Sequence, residues 1–348
     1  MDPVLTNIIV WLVLSIVIVF AVVTGFAYTT LLERRVIARF QSRVGPNRAG
    51  PQGLLQPLAD GIKLIFKEEV IPATADKFTF ILAPMLAVIP ALVVFAVIPF
   101  GSSIEVFGVT VPLTIAPHIN VGVLYILAIT SISVYGIVLA GWASNSKYSM
   151  LGSLRSSAQM ISYELAMGLS LVALVVVAGT LDLNTIVEQQ KQVWYVFLQP
   201  FGAIIFMITA LAEVNRAPFD MPEAEQELTS GYNTEYSGMK FALFYMAEYI
   251  KMIVISALAV TFFFGGYREP FPLFITHAVP FLSVDNSPLL GPVYFGLKIV
   301  MLLIVQVWVR ATLPRFRYDR LMKFGWLVLL PISLAWVMIT AFAVLMRG

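Results

Sequence analysis

Apolar residues along the chain gather into long runs that are separated by short polar stretches. Eight of these runs approach the roughly 20 residues that an α-helix needs to cross a bilayer, so they predict eight membrane-spanning helices. The first run ends at Glu33, Arg34 and Arg35 instead of at a small-residue cleavage site, so we interpret it as a span and not as a signal peptide. The approximate bounds of the predicted spans are 8–32, 78–99, 121–142, 157–178, 194–212, 239–264, 291–311 and 324–345.

A different pattern follows the first run. Residues 45–51, GPNRAGP, cannot form a helix and predict a turn of the backbone. Helical spacing then predicts an amphipathic interfacial helix, whose apolar positions are Leu54, Leu55, Leu58, Ile62, Ile65 and Phe66. Asp60, Lys63 and Lys67 fall on another face, which either meets water and headgroups or is covered by a soluble subunit. In the second case Asp60, Lys63 and the Arg34/Arg35 pair line a cavity suited to a polar headgroup.

The composition supports an integral membrane protein. Of 348 residues, 59% are hydrophobic and 12% are charged, and the mean hydropathy is +0.88. We therefore predict an all-α polytopic fold with a single membrane domain over 1–348. Cysteine is absent, and His118 and His277 both fall in predicted loops, which argues against disulfides, iron–sulfur ligation and bis-histidine haem. Any redox centre would belong to a partner, and nothing in the charge pattern indicates nucleic acid binding.

Lysine and arginine are distributed unevenly between the two sides of the predicted bundle. Seventeen lysines and arginines lie in alternate connections or at the adjoining ends of the spans; these connections are about 33–77, 143–156, 213–238 and 312–323. The other connections and the C-terminus hold three. The positive-inside rule therefore predicts that these four loops are cytoplasmic and that both termini lie on the outer side.

Residues 212–236, which we name the acidic stretch, carry one cation, Arg216, and six carboxylates, Glu213, Asp220, Glu223, Glu225, Glu227 and Glu235. Pro218 and Pro222 predict a helix that begins near 221–222. Glu223 and Glu227 would then be neighbours, and at roughly 6 Å and an effective dielectric near 20 they repel by about 3 kcal/mol. Such groups share protons and respond to a nearby charge, as a proton relay requires. A merely solvated acidic loop is the alternative.

Ionisable residues also occur inside the predicted spans, where they are costly and point to function. Glu164 lies in span four, Glu248 and Lys251 lie three residues apart in span six, and Lys298 lies in span seven. Glu248 and Lys251 are either a structural ion pair or part of a relay. Glu164 has no cation close in sequence, so it is expected to be protonated or hydrated. Span three has no acid, so a relay past it would use Tyr135, serines or water.

Several long motifs resemble one family, the H subunits of the proton-pumping NADH:quinone oxidoreductase, respiratory complex I. They occur in the family's order over roughly residues 30–325 and read LERRVIARFQSRVGPNRAGPQGLLQPLADGIKLIFKE, GWASNSKYSMLGSLRSSAQMISYE, AEVNRAPFDMPEAEQELTSGYNTEYSG, FALFYMAEY and PRFRYDRLM. The resemblance implies a multi-pass subunit of the bacterial inner membrane at the heel of an L-shaped complex. It also implies contact with iron–sulfur-carrying subunits of the hydrophilic arm on the cytoplasmic loops, and with lipids and antiporter-like membrane subunits.

The resemblance also assigns roles. The chain would form the mouth and part of the wall of a tunnel in which quinone is a substrate, and would bind no flavin, haem, iron–sulfur cluster or other metal. It would be a non-redox subunit without catalytic residues of its own. The tunnel residues would be Arg34, Arg35, Asp60 and Lys63. The proton-coupling residues would be Glu213, Glu223, Glu225, Glu227, Glu248, Glu164 and Lys251.

Three alternatives stay open. The related membrane subunit of an energy-converting hydrogenase shares the heel architecture but lacks a quinone tunnel. A stand-alone cation/proton antiporter would use Glu248, Lys251 and Glu164 as its transport site. A structural anchor for a soluble dehydrogenase would tolerate amide replacement of every buried acid.

Overall fold

The computed structural model describes residues 3–106, 109–117, 119–220, 230–270 and 282–346 as a bundle of α-helices. A small antiparallel hairpin, β1 Ile104–Val106 and β2 Val109–Val111, lies in the connection between α3 and α4. The helices are α1 Pro3–Phe40, α2 Gln56–Ile65, α3 Lys77–Val93, α4 Gly122–Ala143, α5 Lys147–Ala178, α6 Leu183–Gln189, α7 Tyr195–Leu198, α8 Pro200–Glu213, α9 Gly238–Phe263, α10 Leu290–Thr312, α11 Tyr318–Phe324 and α12 Leu330–Leu345.

The prediction of an all-α polytopic membrane protein is confirmed. In the described ranges, seven helices are long and apolar enough to cross a membrane: α1, α3, α4, α5, α9, α10 and the helix formed by α11 and α12 with the π-helical turn between them. They correspond to seven of the eight predicted spans.

The remaining predicted span, 194–212, is a broken helix. Gln199 adopts φ −129° and ψ 54° between α7 and α8, because a residue before proline disfavours helical geometry and Pro200 follows it. The 14 residues of α8 cover only about 21 Å. The segment still passes through the bundle, since Gln190 contacts Thr261 near the end of α9 while Ala212 contacts Gln159 in the first half of α5.

α9 is the central helix. In an apolar window of 18 residues, 72% of α9 is buried inside the bundle, whereas the corresponding share is 11% for α1 and 17% for the last span. Phe262 and Phe263 of α9 pack with Phe206 of α8 in the main core cluster. A charged residue on α9 therefore lies among other helices instead of facing lipid, whereas α1 and the last span present large apolar surfaces.

The turn predicted from GPNRAGP brings two parts of the chain into close contact. Gly53 has φ 75°, and a Cβ on it would lie 2.2 Å from the carbonyl oxygen of Pro46. The amphipathic helix predicted after this turn is α2, which has no fully buried residue. Its apolar side chains Leu58, Ile62 and Ile65 are exposed, as expected for a helix that lies on a membrane surface.

Candidate functional site

The charged residues of α9 are part of a buried ion network that joins four segments. Arg216 is 4% exposed, and its Nε contacts Glu248 Oε1 while its Nη1 lies 3.5 Å from Glu33 Oε1. Arg310 of α10 donates from Nη1 to the same Glu33 oxygen. The guanidinium of Arg216 also lies 4.4 Å from the centre of the Tyr249 ring. Two carboxylates therefore meet two guanidiniums, and the structure gives Glu248 a cation, Arg216, that is distant from it in sequence.

Glu33 and Arg310 were not among the predicted site residues. In the sequence both stand at the polar end of an apolar run, which is typical of residues that only set topology. Their separation of 277 residues leaves no sequence signal that they meet. Glu33 is 3% exposed, and its Oε2 has no hydrogen-bond partner among the described residues.

Lys251 lies between two internal cavities. Each cavity has a volume of about 20 Å³. The first is lined by Asn215, Tyr232 and Glu248, and the second by Glu213, Thr130 and Ser133. This volume holds about one water molecule, and both linings carry polar groups that could bind it. Glu248 and Lys251 therefore line one cavity, and Glu213 and Lys251 line the other.

Two further predicted coupling acids are Glu164 on α5 and Glu213 at the end of α8. Ser131 of α4 donates a hydrogen bond to Glu164 Oε1, so a serine of span three does contact the acid of span four. Glu213 at the end of α8 is 6% exposed, and its Oε2 has no partner in the part of the chain that is described. Tyr135, the other relay candidate in span three, is 63% exposed and faces outward. The predicted coupling residues Glu223, Glu225 and Glu227, with the helix predicted to begin near 221–222, lie outside the described residues.

A larger cavity of about 420 Å³ lies between α1, α2 and α9, within the range that small-ligand sites occupy. Its charged groups are Arg34, Asp60 and Lys63, and its remaining lining is mostly apolar, including Phe26, Ile65, Phe241 and Met246. Arg34 Nη1 lies 2.8 Å from Asp60 Oδ2. Three of the four residues predicted for the tunnel are thus together. The fourth, Arg35, donates from Nη2 to the carbonyl of Gln52, the residue that follows GPNRAGP.

The cavity and the ion network are contiguous through two tyrosines of α9. Tyr245 lines the cavity, and its hydroxyl lies 2.9 Å from the hydroxyl of Tyr249. The Tyr249 ring in turn packs against the guanidinium of Arg216. Neither tyrosine was predicted as a site residue, although their i, i+4 spacing with Glu248 between them would have placed them beside it.

Lys298 of α10, the other lysine predicted at membrane depth, belongs to a different part of the molecule. Its Nζ donates to the carbonyl oxygens of Phe264, Gly266 and Arg268 at 2.7, 2.9 and 2.7 Å. These groups follow the C-terminus of α9, where carbonyls lack helical partners. Lys298 therefore acts as a cap for the end of that helix.

A polytopic helical bundle with carboxylates, guanidiniums and a lysine around internal cavities is a membrane protein with a buried polar site, and such a site points to function. The profile of the NADH dehydrogenase family matches residues 13–341. Similar proteins include the second NADH-quinone oxidoreductase H subunit of Geobacter metallireducens, which is 50% identical over 345 residues, 96% of this chain and 95% of that protein. The corresponding H subunit of Protochlamydia amoebophila is 52% identical over 319 residues, covering 92% of this chain and 93% of that one.

The NADH-quinone oxidoreductase H subunit of Rickettsia bellii is also 52% identical, over 318 residues that cover 90% of this chain and 88% of the relative. The chain belongs to the NADH dehydrogenase family, and the resemblance found in its motifs is confirmed.

Proposed function

We propose that the chain is the membrane subunit of a proton-translocating NADH:quinone oxidoreductase that receives the quinone and couples its reduction to proton movement. The observation that carries this proposal is the contact between Tyr245, which lines the 420 Å³ cavity, and Tyr249, which packs on Arg216 of the ion network. A ligand in the cavity and the buried carboxylates are thereby joined without an intervening apolar layer.

The cavity fits a quinone headgroup on chemical grounds. Arg34 and Lys63 can donate hydrogen bonds to quinone oxygens, and Asp60 can exchange a proton, while the apolar lining suits the ring and tail. Electrons would arrive from an iron–sulfur centre in a subunit of the hydrophilic arm, docked on the basic loops. This chain would hold no flavin, haem or cluster.

Reduction of the quinone adds negative charge and takes up protons. The charge would act on Arg216 through the Tyr245–Tyr249 hydroxyl pair. It would thereby change the strength of the ion pairs that Arg216 forms with Glu248 and Glu33. In a poorly screened interior such a change is felt over several ångströms. Lys251, whose charge acts on Glu213, Glu248 and Glu164, would pass the change on, with one water in each adjoining cavity as the carrier. Antiporter-like membrane subunits would respond to the new protonation state.

The test is Tyr245→Phe in the assembled complex, with Tyr294→Phe as a matched control. Tyr294 donates its hydroxyl hydrogen bond to the Leu282 carbonyl at the other end of the bundle. One hydrogen bond is worth about 1 kcal/mol, so quinone-linked proton pumping should fall roughly five- to tenfold in Tyr245→Phe. NADH oxidation by an artificial acceptor should not change in either variant. Equal pumping in the two variants would contradict the proposal.

The cavities on both sides of Lys251 also fit a stand-alone cation/proton antiporter. Reconstitution of the purified chain alone in liposomes separates the two functions. A complex subunit should be inert, whereas an antiporter should dissipate a pH gradient when a cation gradient is imposed.

A further inference from the structure

The first half of α5 holds the chain where it leaves α8. Gln159 of α5 is fully buried, and its Nε2 donates to the carbonyl oxygens of Ala212 at 2.8 Å and Phe219 at 2.7 Å. These two carbonyls bracket the turn that follows Glu213. One helical turn earlier, Ser156 Oγ accepts a hydrogen bond of 3.2 Å from Asn215 Nδ2.

The same helix also holds the far end of the acidic stretch. Ser149 Oγ donates to the Tyr232 carbonyl at 3.2 Å. Gly152 packs so closely that a Cβ on it would lie 2.6 Å from the Cα of Gly231. Four positions over about three turns of α5 thus contact the chain on both sides of the segment between Asp220 and Ser230.

We propose that Gln159 is a positioning residue, which sets the place of residues 212–220 relative to Glu164 on the same helix. Both hydrogens of its amide nitrogen are used, one for each carbonyl, so the side chain fixes two points of one turn. Ala212 is in the last turn of α8, and its carbonyl accepts a 3.3 Å hydrogen bond from the Asn215 N–H and a second, shorter one from Gln159. Glu213, which follows Ala212, and Asp220, which follows Phe219, are therefore carried at fixed positions beside α5.

This inference rests on the proposed function, because positioning matters for activity only if the acidic stretch takes part in coupling. The closing experiment therefore measures position and activity separately. The chain contains no cysteine, so a spin-label pair can be introduced at Asp220→Cys and at Leu151→Cys, an exposed position on α5. Distances between the labels are then recorded in the assembled complex.

The test variant is Gln159→Met, which keeps the volume and removes both donors. Its control is Gln306→Met, since Gln306 is also buried, donates from Nε2 to Ser256 Oγ at 3.0 Å and has no hydrogen bond to the described part of the acidic stretch. The distance distribution should broaden or shift in Gln159→Met and stay unchanged in Gln306→Met. An unchanged distribution in Gln159→Met would overturn the positioning role, whatever the activity.

Activity is measured in the same two substitutions without the labels. Quinone-linked proton pumping should fall about tenfold in Gln159→Met. The KM for quinone should not change, because the cavity lies between α1, α2 and α9. A shifted distance with normal pumping would leave Gln159 as a positioning residue and would overturn the role of the acidic stretch in coupling. Should Gln159→Met not assemble, Gln159→Asn, which withdraws both donors by one methylene, gives the same comparison.

Discussion

Lys251 and Lys298 stand at membrane depth on consecutive long helices, yet their surroundings differ. Lys298 is 7% exposed and donates to three backbone carbonyls, which uses all three of its N–H groups. Lys251 borders two cavities with room for water, one of which Glu248 also lines and the other Glu213. A saturated ammonium group has no donor left for a reaction, whereas one beside water and acids can exchange protons. We therefore propose a structural role for Lys298 and a coupling role for Lys251.

Among the substitutions that test this comparison, Lys298→Met should have the largest effect, which is on stability. Three buried carbonyls would lose their donor, at about 1–3 kcal/mol each, so the free energy of unfolding should fall by about 3 kcal/mol or more. The thermal midpoint of the assembled complex measures this. Lys191→Met is the control, because Lys191 is 45% exposed in its ion pair with Asp285 and should cost under about 1 kcal/mol. A normal midpoint with lost pumping in Lys298→Met would reverse the assignment.

The next effect is on activity, in Lys251→Met. Loss of the positive charge should reduce quinone-linked proton pumping at least tenfold, because the protonation of Glu213, Glu248 and Glu164 would no longer be linked through it. The thermal midpoint should change less than in Lys298→Met. Pumping is measured with quinone, and integrity of the rest of the complex with an artificial acceptor. Retained pumping would exclude Lys251 from the coupling path.

The smallest expected effect is on stability, at Asp285 in the loop near Lys298, and it tests the structural role of this region. Asp285 receives hydrogen bonds from Lys191 and Arg268, which hold the pKa of its carboxyl below the usual 3.8. A carboxyl with a lowered folded-state pKa stabilises the protein above its unfolded-state pKa, and this contribution is lost as the pH falls toward the folded-state value.

Asp285→Asn should therefore lower the free energy of unfolding at pH 7 by less than about 1 kcal/mol, because the Asp285 side chain is 46% exposed. The thermal midpoint should fall slightly as a result. Below about pH 4 the difference between the variant and the native chain should shrink. A difference that grows on acidification would contradict the ion-pair assignment.

The sequence predicted the spans because long apolar runs indicate them, and it predicted α2 because of its apolar periodicity. It did not predict the break at Gln199, since a hydropathy window averages over a single proline. Nor could it separate Lys251 from Lys298, because the carbonyls that saturate Lys298 lie 30 to 34 residues away in a turn. Glu33 and Arg310 were missed for the same reason, since their meeting depends on how α1 and α10 pack.

The candidate site was predicted in part. The cavity contains Arg34, Asp60 and Lys63 because i, i+3 spacing on α2 and the end of α1 bring them together. Tyr245 and Tyr249 escaped prediction because aromatic residues in an apolar span usually pack as core. Glu223, Glu225 and Glu227 lie outside the described residues, and their role in coupling stays a prediction.

α1 is the least enclosed of the long helices, with 11% of its window buried, and yet it supplies Glu33, the carboxylate shared by Arg216 and Arg310. Whatever covers the exposed face of this helix, lipid or a neighbouring subunit, therefore also lies against the element that carries the arginines' common counter-ion. We expect that a detergent which displaces that outer layer changes coupling efficiency together with the extraction conditions.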